Sequence, residues 1–499
     1  MKKRWLGILL ALCLLVCFAP AALAAEAPAS TIFYVSATSG SGTPDGTQEN
    51  PFTSLKEAVD AVPENGTATI YVMSDLTMEK CARYYGKDLT ITSGDGGPYT
   101  VTRGEDFAQI QDAARSTYNP AMIEVDSTEG PGTASLTLSN IILDDNFLCE
   151  GEYFVQADSE GDGHTTVGSS EVANTEIVQD AIIATYNGVG TITLKDGAVL
   201  QNYGGMSAVR IASGELVMEN GSKIIDTTEY PREKGLTGSF GPAGAVWIQG
   251  GTLTMNGGVI GGAENVAMTG RAVYVDSGTA NVGGTIQNLK GTDAAWQGQN
   301  GVAIHLRSGG EATLTATGKI TNVTGTNAGN NTAVWTQFCN FKTEAGSVIS
   351  QVDDFPLLHF DDLEDSGGYC HEVYLNGTIQ NCNSGSAWLL RSWYGQITFG
   401  EDSVIEGCSS SNAGGLIYSN NGSHYTFAGT IRNNRASNGM IYLANQGGGG
   451  VIATIESTAH IVDNTGLGIR VNNSSNLTMN GGEIARNSGA GVRVSGKDQ

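Results

Sequence analysis

The chain has 499 residues, of which 40% are hydrophobic and 15% are charged, with 69 glycines and a formal net charge of −25. This apolar content is too high for a disordered chain, and with so many glycines it is typical of a turn-rich all-β protein. The negative charge disfavours nucleic acid, anionic lipid and highly charged uronates as unassisted partners.

Residues 1–24 have the pattern of a secretory signal peptide. Basic side chains at positions 2–4 precede an apolar run at 6–18, and the sequence ALA at 22–24 matches a small-x-small cleavage site. We therefore expect a secreted or cell-surface protein with a short leader at 25–30. Without the signal, 23 basic and 51 acidic residues remain, a net charge of −28. No later stretch has the roughly 18 apolar residues of a membrane span, so no membrane insertion is expected after cleavage.

Residues 31–76 predict an N-terminal cap and a first coil. Thr31–Val35 has the character of a strand, and a helix is expected to follow Ser54. Ser54 and Glu57 have capping-box spacing, and Pro63 ends the pattern. The helix has one apolar face, formed by Leu55, Ala58, Val59 and Val62. A short helix of this kind fits a lid, which the open end of a solenoid needs.

The same region carries a resemblance to a known group of proteins. It reads YVSATSGSGTPDGTQENPFTSLKEAVDAV at 34–62 and GTATIYVMSDL at 66–76. This resembles the N-terminal cap of the pectin-lyase-like superfamily, to which secreted bacterial β-helix repeat proteins belong. In that superfamily a D-G-T-x-x-N-P-F turn precedes a capping helix and the first strand. The resemblance implies a right-handed parallel β-helix. It implies no single activity, because this architecture serves lyases, glycoside hydrolases, tailspikes and adhesins.

Residues 77–190 predict less regular coils with a long lateral loop at 148–176, which is rich in Gly, Ser, Glu and Asp. Loops of this length are usually functional or disordered. Asp144 and Asp145 lie near a turn before this loop, and we expect them to cap that turn or to face solvent.

Residues 191–499 repeat one phrase eleven times: an alternating strand, a turn, and an Ile or Leu that re-enters the interior. The steps of 23 to 36 residues, with Gly, Asn and Thr at the turns, indicate stacked β coils rather than helical repeats. The re-entry residues are Leu200, Ile224, Ile260, Ile286, Ile320, Ile349, Ile379, Ile405, Ile431, Ile461 and Ile484.

Two turn positions in these coils have a recurring chemistry. Two residues after the re-entry residue, seven of eleven coils have Asn or Asp, which tolerate a left-handed backbone and indicate a structural ladder. Cys382 and Cys408 each lie one residue further on and are expected to stack in adjacent coils about 4.8 Å apart. Both a disulfide and a pair of buried thiols fit this arrangement.

One strand of each coil predicts an outward column of aromatic and basic side chains, because apolar residues flank one position in the pattern. We expect an exposed stripe about 50 Å long that binds a polymer, since flat rings stack on sugar faces. A packed aromatic ladder is the alternative. The column contains Arg210, Trp247, Tyr274, His305, Trp335, His359, an ambiguous Leu390 or Arg391, Tyr418, Tyr442, Arg470 and Arg493.

The middle of this face is the predicted site. The substrate-binding candidates are Arg210, Trp247, Tyr274, His305, Trp335, His359, Tyr418 and Tyr442, and the catalytic candidates are His305, Arg307, Asp361, Asp276 and His359. A surface ion pair between Asp276 and Arg307 is the structural alternative. No cofactor is required, but an acidic loop could bind Ca²⁺. Its candidate ligands are Asp361, Asp362, Glu364 and Asp365.

Three functions remain open from the sequence. The first is an adhesin-like module that binds a polysaccharide or cell-surface glycan. The second is a polysaccharide lyase or glycoside hydrolase, and the third is a structural wall element. Hydrolysis by Asp276 and Asp361 is disfavoured because the two lie three coils apart, about 14 Å, beyond the distance of a catalytic carboxylate pair. The last strand has no C-terminal cap after it, so we expect the chain to continue or to associate end to end.

Overall fold

A computed structural model describes most of the chain after residue 30. The described residues are 31–108, 110–112, 116–118, 120–126, 134–147, 155–157, 165–167, 181–185, 190–204, 207–228, 244–291, 301–325, 331–362, 364–365, 368–369, 371–444, 449–472 and 474–496. Within these ranges no helix has the length and apolar character that crossing a membrane requires.

The fold is a right-handed parallel β-helix, as the sequence predicts. Successive strands enter three sheets in turn, and each strand pairs in parallel with its equivalents in the coils before and after it. In the described part of the chain, the sheets contain 15, 15 and 14 strands. The parallel strands satisfy one another's backbone hydrogen-bonding groups. Their inward side chains form a continuous apolar interior, which the three sheets enclose.

Each sheet is built from strands of two to six residues. Sheet 1 contains Thr31–Val35, Thr67–Val72, Asp88–Ser93, Ala134–Ser139, Gly190–Leu194, Glu215–Met218, Thr252–Met255, Thr279–Val282, Glu311–Leu314, Asn340–Thr343, Glu372–Leu375, Gln396–Phe399, His424–Phe427, Ile452–Ile455 and Asn476–Met479. Sheet 2 contains Leu76–Met78, Tyr99–Arg103, Ile141–Asp144, Ala198–Gln201, Lys223–Asp226, Val259–Gly262, Met268–Thr269, Thr285–Lys290, Lys319–Thr324, Val348–Asp353, Thr378–Gln380, Val404–Glu406, Thr430–Arg432, His460–Val462 and Glu483–Ala485. Sheet 3 contains Ala82–Tyr85, Ile123–Asp126, Ala181–Thr185, Ser207–Ile211, Val246–Ile248, Val273–Val275, Gly301–Leu306, Thr332–Gln337, Leu358–Asp361, Leu390–Trp393, Ile417–Asn420, Ile441–Leu443, Ile469–Asn472 and Val492–Ser495.

Among the described residues, four short strand pairs lie outside the three sheets. Ser409–Ser410 and Arg435–Ala436 pair in parallel at a turn between coils. The other three pairs are antiparallel: Ile110–Asp112 with Ser116–Tyr118, Val155–Ala157 with Thr165–Val167, and Glu364–Asp365 with Gly368–Tyr369. Apart from its two strands, the predicted lateral loop at 148–176 lies outside the described residues, and the predicted boundary at 190–191 stays a prediction.

The predicted capping helix is confirmed at Leu55–Ala61. The Ser54 side chain accepts a hydrogen bond from the Glu57 backbone N–H at 3.2 Å, and Glu57 Oε2 accepts one from the Thr53 N–H at 3.2 Å. These bonds satisfy amides that the first helical turn leaves free. Leu55 lies on the buried face, so the helix covers the first coil.

The eleven re-entry residues pair with one another in register in sheet 2. The column extends further towards the N-terminus than the sequence pattern indicates, through Leu143, Val101 and Leu76. The Asx ladder is confirmed as a turn device because six of its seven members have positive φ. They are Asn202, Asn288, Asn322, Asn381, Asn433 and Asp463.

Asp145 forms a buried ion pair, so the expectation that it caps a turn or faces solvent is wrong. Its carboxylate accepts a hydrogen bond from Arg103 Nε at 2.5 Å and another from the Gly204 N–H at 2.9 Å. The Arg103 guanidinium also donates to the carbonyls of Pro120 and Ala181. Both charged groups are buried, and their hydrogen bonds compensate for lost hydration.

The last described coil leaves its interior side chains uncovered. Val494 is equivalent to the buried Val471 of the coil before it, yet it is 77% exposed. Met479, which pairs with the buried Ile455, is also exposed. These side chains have no further coil on their outer side within the described residues. The predicted C-terminal continuation or end-to-end association stays a prediction.

Candidate functional site

Sheet 3 brings the predicted aromatic and basic column into one continuous register. Each member pairs with the next, and the ambiguous position is Arg391, which pairs with His359 and Tyr418. Leu390 instead is buried in the core. We call this outward column the sheet 3 ladder. It contains Arg210, Trp247, Tyr274, His305, Trp335, His359, Arg391, Tyr418, Tyr442, Arg470 and Arg493.

The centre of the ladder is covered, so the prediction of an exposed stripe is wrong there. His305 and Trp335 are each 4% exposed and His359 is 2% exposed, while Tyr274 and Tyr418 are also buried. The physical reason is that ladder side chains one strand spacing apart shield one another and are packed against by neighbouring residues.

The covered side chains form a chain of ring contacts. The centroid of Tyr274 lies 5.1 Å from that of His305, and His305 lies 4.6 Å from Trp335. His359 continues the chain, with its centroid 6.4 Å from that of Trp335. At the start of the chain, Trp247 stacks on Tyr274 at 6.3 Å. The predicted alternative, a packed aromatic ladder, therefore describes the middle of the column.

Towards the C-terminus the ladder opens into a group of half-exposed side chains. The guanidinium of Arg391 lies between two indole rings, 4.5 Å from the Trp388 centroid and 3.9 Å from the Trp393 centroid. We call Trp388, Arg391 and Trp393 the tryptophan–arginine cluster. Burial lowers the pKa of Arg391, and the nearby Asp361 carboxylate opposes that effect.

Trp388 and Trp393 are site residues that the sequence analysis missed. Trp393 lies two residues after Arg391 in one strand and therefore on the same face. The sequence left the outward position of this strand open between Leu390 and Arg391, so Trp393 could not be assigned to the outer face. Trp388 precedes the strand and reaches the face from the turn, where it stacks on Tyr418 at 5.3 Å. Strand alternation could have found Trp393, but no sequence rule places Trp388.

Several hydrogen-bond donors in this region have no partner among the described residues. They are the indole Nε1 atoms of Trp335 and Trp393 and the Nε atom of Arg391. A buried donor without an acceptor loses its hydration without compensation, at a cost of about 1–3 kcal/mol. This part of sheet 3 therefore has several buried donor groups that the described residues leave unsatisfied.

Asp361 supplies the acceptor beside these donors. It pairs in register with Gln337 and Trp393, and its side chain is 13% exposed. One of its carboxylate oxygens lies 3.5 Å from His359 Nε2, a ring nitrogen without a hydrogen-bond partner among the described residues. The predicted candidates Trp335, His359 and Asp361 thus come together here, beside Arg391.

His305 has an environment that argues against a role as a general base. Its Nδ1 accepts a hydrogen bond from the Gly301 backbone N–H at 3.2 Å, which places the ring proton on Nε2. Burial, reinforced by Arg271 and Arg307, lowers the pKa of His305 well below its usual range. The imidazole is therefore neutral near pH 7.

The remaining central candidates are spread over several coils. Asp276 and Asp361 follow strand positions that pair through three successive registers, which corresponds to about 14 Å and does not suit a carboxylate pair. Arg307 is exposed, and its described side-chain hydrogen bond is with Tyr274 rather than with Asp276. Asp276 instead raises the pKa of Tyr274, although burial has the larger effect.

The acidic loop has one described carboxylate that is already engaged. Asp362 is buried and accepts from the His371 backbone N–H, and its other oxygen lies 3.1 Å from His371 Nδ1. In the described part of the chain, no three His, Cys, Asp or Glu side chains converge as metal ligands. The side chains of Glu364 and Asp365 lie outside the described residues. The Ca²⁺ site therefore stays a prediction.

The two ends of the ladder also pair aromatic rings with arginine. Arg210 lies 4.9 Å from the Trp247 ring and donates to Gln249 Oε1 at 2.8 Å. At the other end, Arg470 lies 4.4 Å from the Tyr442 ring. These half-exposed pairs extend the accessible part of the face beyond its covered centre.

Comparisons with known proteins leave the family open. No protein-family model matches the chain, and no curated protein matches it. One solved structure that it resembles is a complex of XylC with xylose, with 12% identity, coverage of 86% of this chain and 76% of that one, and a TM-score of 0.29. Another is the GH136 lacto-N-biosidase from Eubacterium ramulus, with 12% identity, coverage of 90% and 68%, and a TM-score of 0.21. Superpositions with TM-scores this low establish no shared activity, and membership of the pectin-lyase-like superfamily stays a prediction.

Proposed function

We propose that this protein is exported and binds a glycan through the tryptophan–arginine cluster of sheet 3, as a secreted or cell-surface, adhesin-like module. One observation carries the proposal: half-exposed indole rings lie beside donor groups that have no partner in the described structure. A sugar offers both an apolar ring face that stacks on indole and hydroxyl oxygens that accept hydrogen bonds from a guanidinium group.

The arrangement favours an extended ligand over a single small molecule. From Arg391 the ladder continues in register through Tyr418 and Tyr442 to Arg470, three strand spacings or about 14 Å. Along this distance, two tyrosine rings lie between two guanidinium groups. A polymer that runs along the β-helix axis would contact several of them at once.

Binding without cleavage has more support than turnover. The neutral His305 has its Nδ1 occupied, and Asp276 lies too far from Asp361 for the carboxylate pair of a glycoside hydrolase. A purely structural role as a wall element does not explain why half-exposed indole rings lie beside unpartnered donors. We therefore propose that this face binds a ligand rather than catalyses a reaction.

The test is a polysaccharide and glycan panel with the wild-type protein, in which reducing and unsaturated ends are monitored in the same wells. We expect binding without products, and Trp393→Ala should weaken it about fivefold or more, because one stacked ring contributes on the order of 1 kcal/mol or more. Tyr71→Ala is the matched control, since Tyr71 stacks on Tyr34 at 5.6 Å on the outer face of sheet 1. Equal loss in both variants, or product formation, would contradict the proposal.

A further inference from the structure

Cys382 and Cys408 occupy equivalent positions in adjacent coils. The strands before them pair through Ile379 and Ile405, and the residues after them form a parallel bridge. Both cysteines are free and buried in the structure, each with 1% exposure. In-register neighbours are separated by about 4.8 Å, within the range of Cα distances that a disulfide spans.

The column of equivalent positions that contains the two cysteines continues with asparagine in the following coils. In the next coils it contains Asn434, Asn464 and Asn487, whose side chains bind the coils to one another. Asn464 Oδ1 accepts from the Asn434 backbone N–H at 2.9 Å, and Asn464 Nδ2 donates to the Ile431 carbonyl at 2.9 Å. Asparagine therefore ties each coil to the one before it.

The cysteines supply only weak polar contacts between coils, because a thiol is a weak donor. Each thiol lies closest to a carbonyl of its own coil, Cys382 to that of Gln380 at 3.3 Å and Cys408 to that of Glu406 at 3.4 Å. The carbonyls of the preceding coil, those of Ile349 and Ile379, lie 4.0 Å from Cys382 Sγ and 3.8 Å from Cys408 Sγ. The two coils involved also carry the tryptophan–arginine cluster and Tyr418, through strands Leu390–Trp393 and Ile417–Asn420. A covalent bond at this position would hold them at a fixed spacing.

We propose that Cys382 and Cys408 form a disulfide bond that ties together these two coils. Each thiol gives up its proton and one electron as the S–S bond forms. The two electrons and two protons reduce a low-molecular-weight disulfide, such as oxidised glutathione, to two thiols. Because both sulfurs are buried in the folded coils, the reaction accompanies folding in an oxidising compartment.

The bond forms by thiol–disulfide exchange while the coils fold. One cysteine thiolate attacks the glutathione disulfide, which gives a mixed disulfide and releases one glutathione thiol. The second cysteine then attacks the sulfur of the first, and the remaining glutathione leaves as its thiol.

The experiment refolds the full chain with oxidised glutathione, blocks free thiols with iodoacetamide under denaturing conditions without reductant, and digests with trypsin and glutamyl endopeptidase. Cleavage after Glu372, Arg391, Glu406 and Arg432 separates 373–391 from 407–432, so that each peptide has one cysteine. We expect these two peptides as one species whose mass is two hydrogens below their sum, and which reduction splits.

Two variants keep the outcome decisive. Cys339→Ser removes another buried thiol and should leave the linked species intact, whereas Cys408→Ser should leave Cys382 fully alkylated. Recovery of both wild-type peptides in alkylated form, or attachment of either one to a different cysteine peptide, would overturn the proposal. Neither result depends on whether the protein binds a glycan.

Discussion

Arg103 shows how one residue can join two neighbouring coils of this solenoid. Its guanidinium donates to the Asp145 carboxylate and to backbone carbonyls at Pro120 and Ala181, all in a buried setting. A buried charge needs its partner, because the partner replaces the hydration that burial removes. The pair therefore belongs to the stability of the N-terminal coils rather than to binding.

At the same residue scale, Asp145→Asn should destabilise the protein by roughly 3–5 kcal/mol, since it leaves the buried guanidinium without its counter-charge. The free energy of urea unfolding measures the change. Asp463→Asn is the control, because its partner Arg486 is exposed and the pair is screened by water. Similar losses in the two variants would contradict the buried ion pair.

His305 makes a pH-dependent contribution to stability. Its folded pKa lies below its usual range, so as pH falls through about 6.5 the unfolded chain takes up a proton that the folded protein does not, and stability is lost. Between pH 7.5 and 5.5 the wild type should lose up to about 1.4 kcal/mol more than His305→Gln. Urea midpoints at the two pH values test this, and identical pH dependence in the two proteins would contradict it.

At the scale of single elements, the turns after sheet 2 hold neighbouring coils together through asparagine side chains. Asn464→Ala removes the acceptor of the Asn434 N–H and a donor to the Ile431 carbonyl, so we expect a loss of about 2–3 kcal/mol. The exposed Asn480→Ala should cost less than about 0.5 kcal/mol. Equal urea midpoints for the two variants would show that the buried asparagine side chains between coils add no stability.

Strand order and register could be read from the sequence, whereas burial of the outer face could not. The re-entry isoleucines fix the register because a slip by one residue would turn every apolar side chain outward. The same alternation placed Trp335 and His359 on the outer face of sheet 3. Whether an outward ring is covered depends on packing neighbours from other parts of the chain, and sequence spacing has no information on these. For the same reason the sequence did not predict that Trp388, which lies in a turn, contacts the outer face.

At the scale of the whole molecule, the three sheets share one apolar interior, in which each strand lies against its equivalents in the neighbouring coils.

The most direct test of glycan recognition is hydrogen–deuterium exchange with and without a glycan that scores positive in the panel. Slower exchange should be confined to strands Leu390–Trp393, Ile417–Asn420 and Ile441–Leu443 and to the turn before them at Trp388. Sheet 1 strands of the same coils serve as the internal control. Slower exchange in sheet 1 or sheet 2, with these sheet 3 strands unchanged, would contradict glycan binding at the tryptophan–arginine cluster.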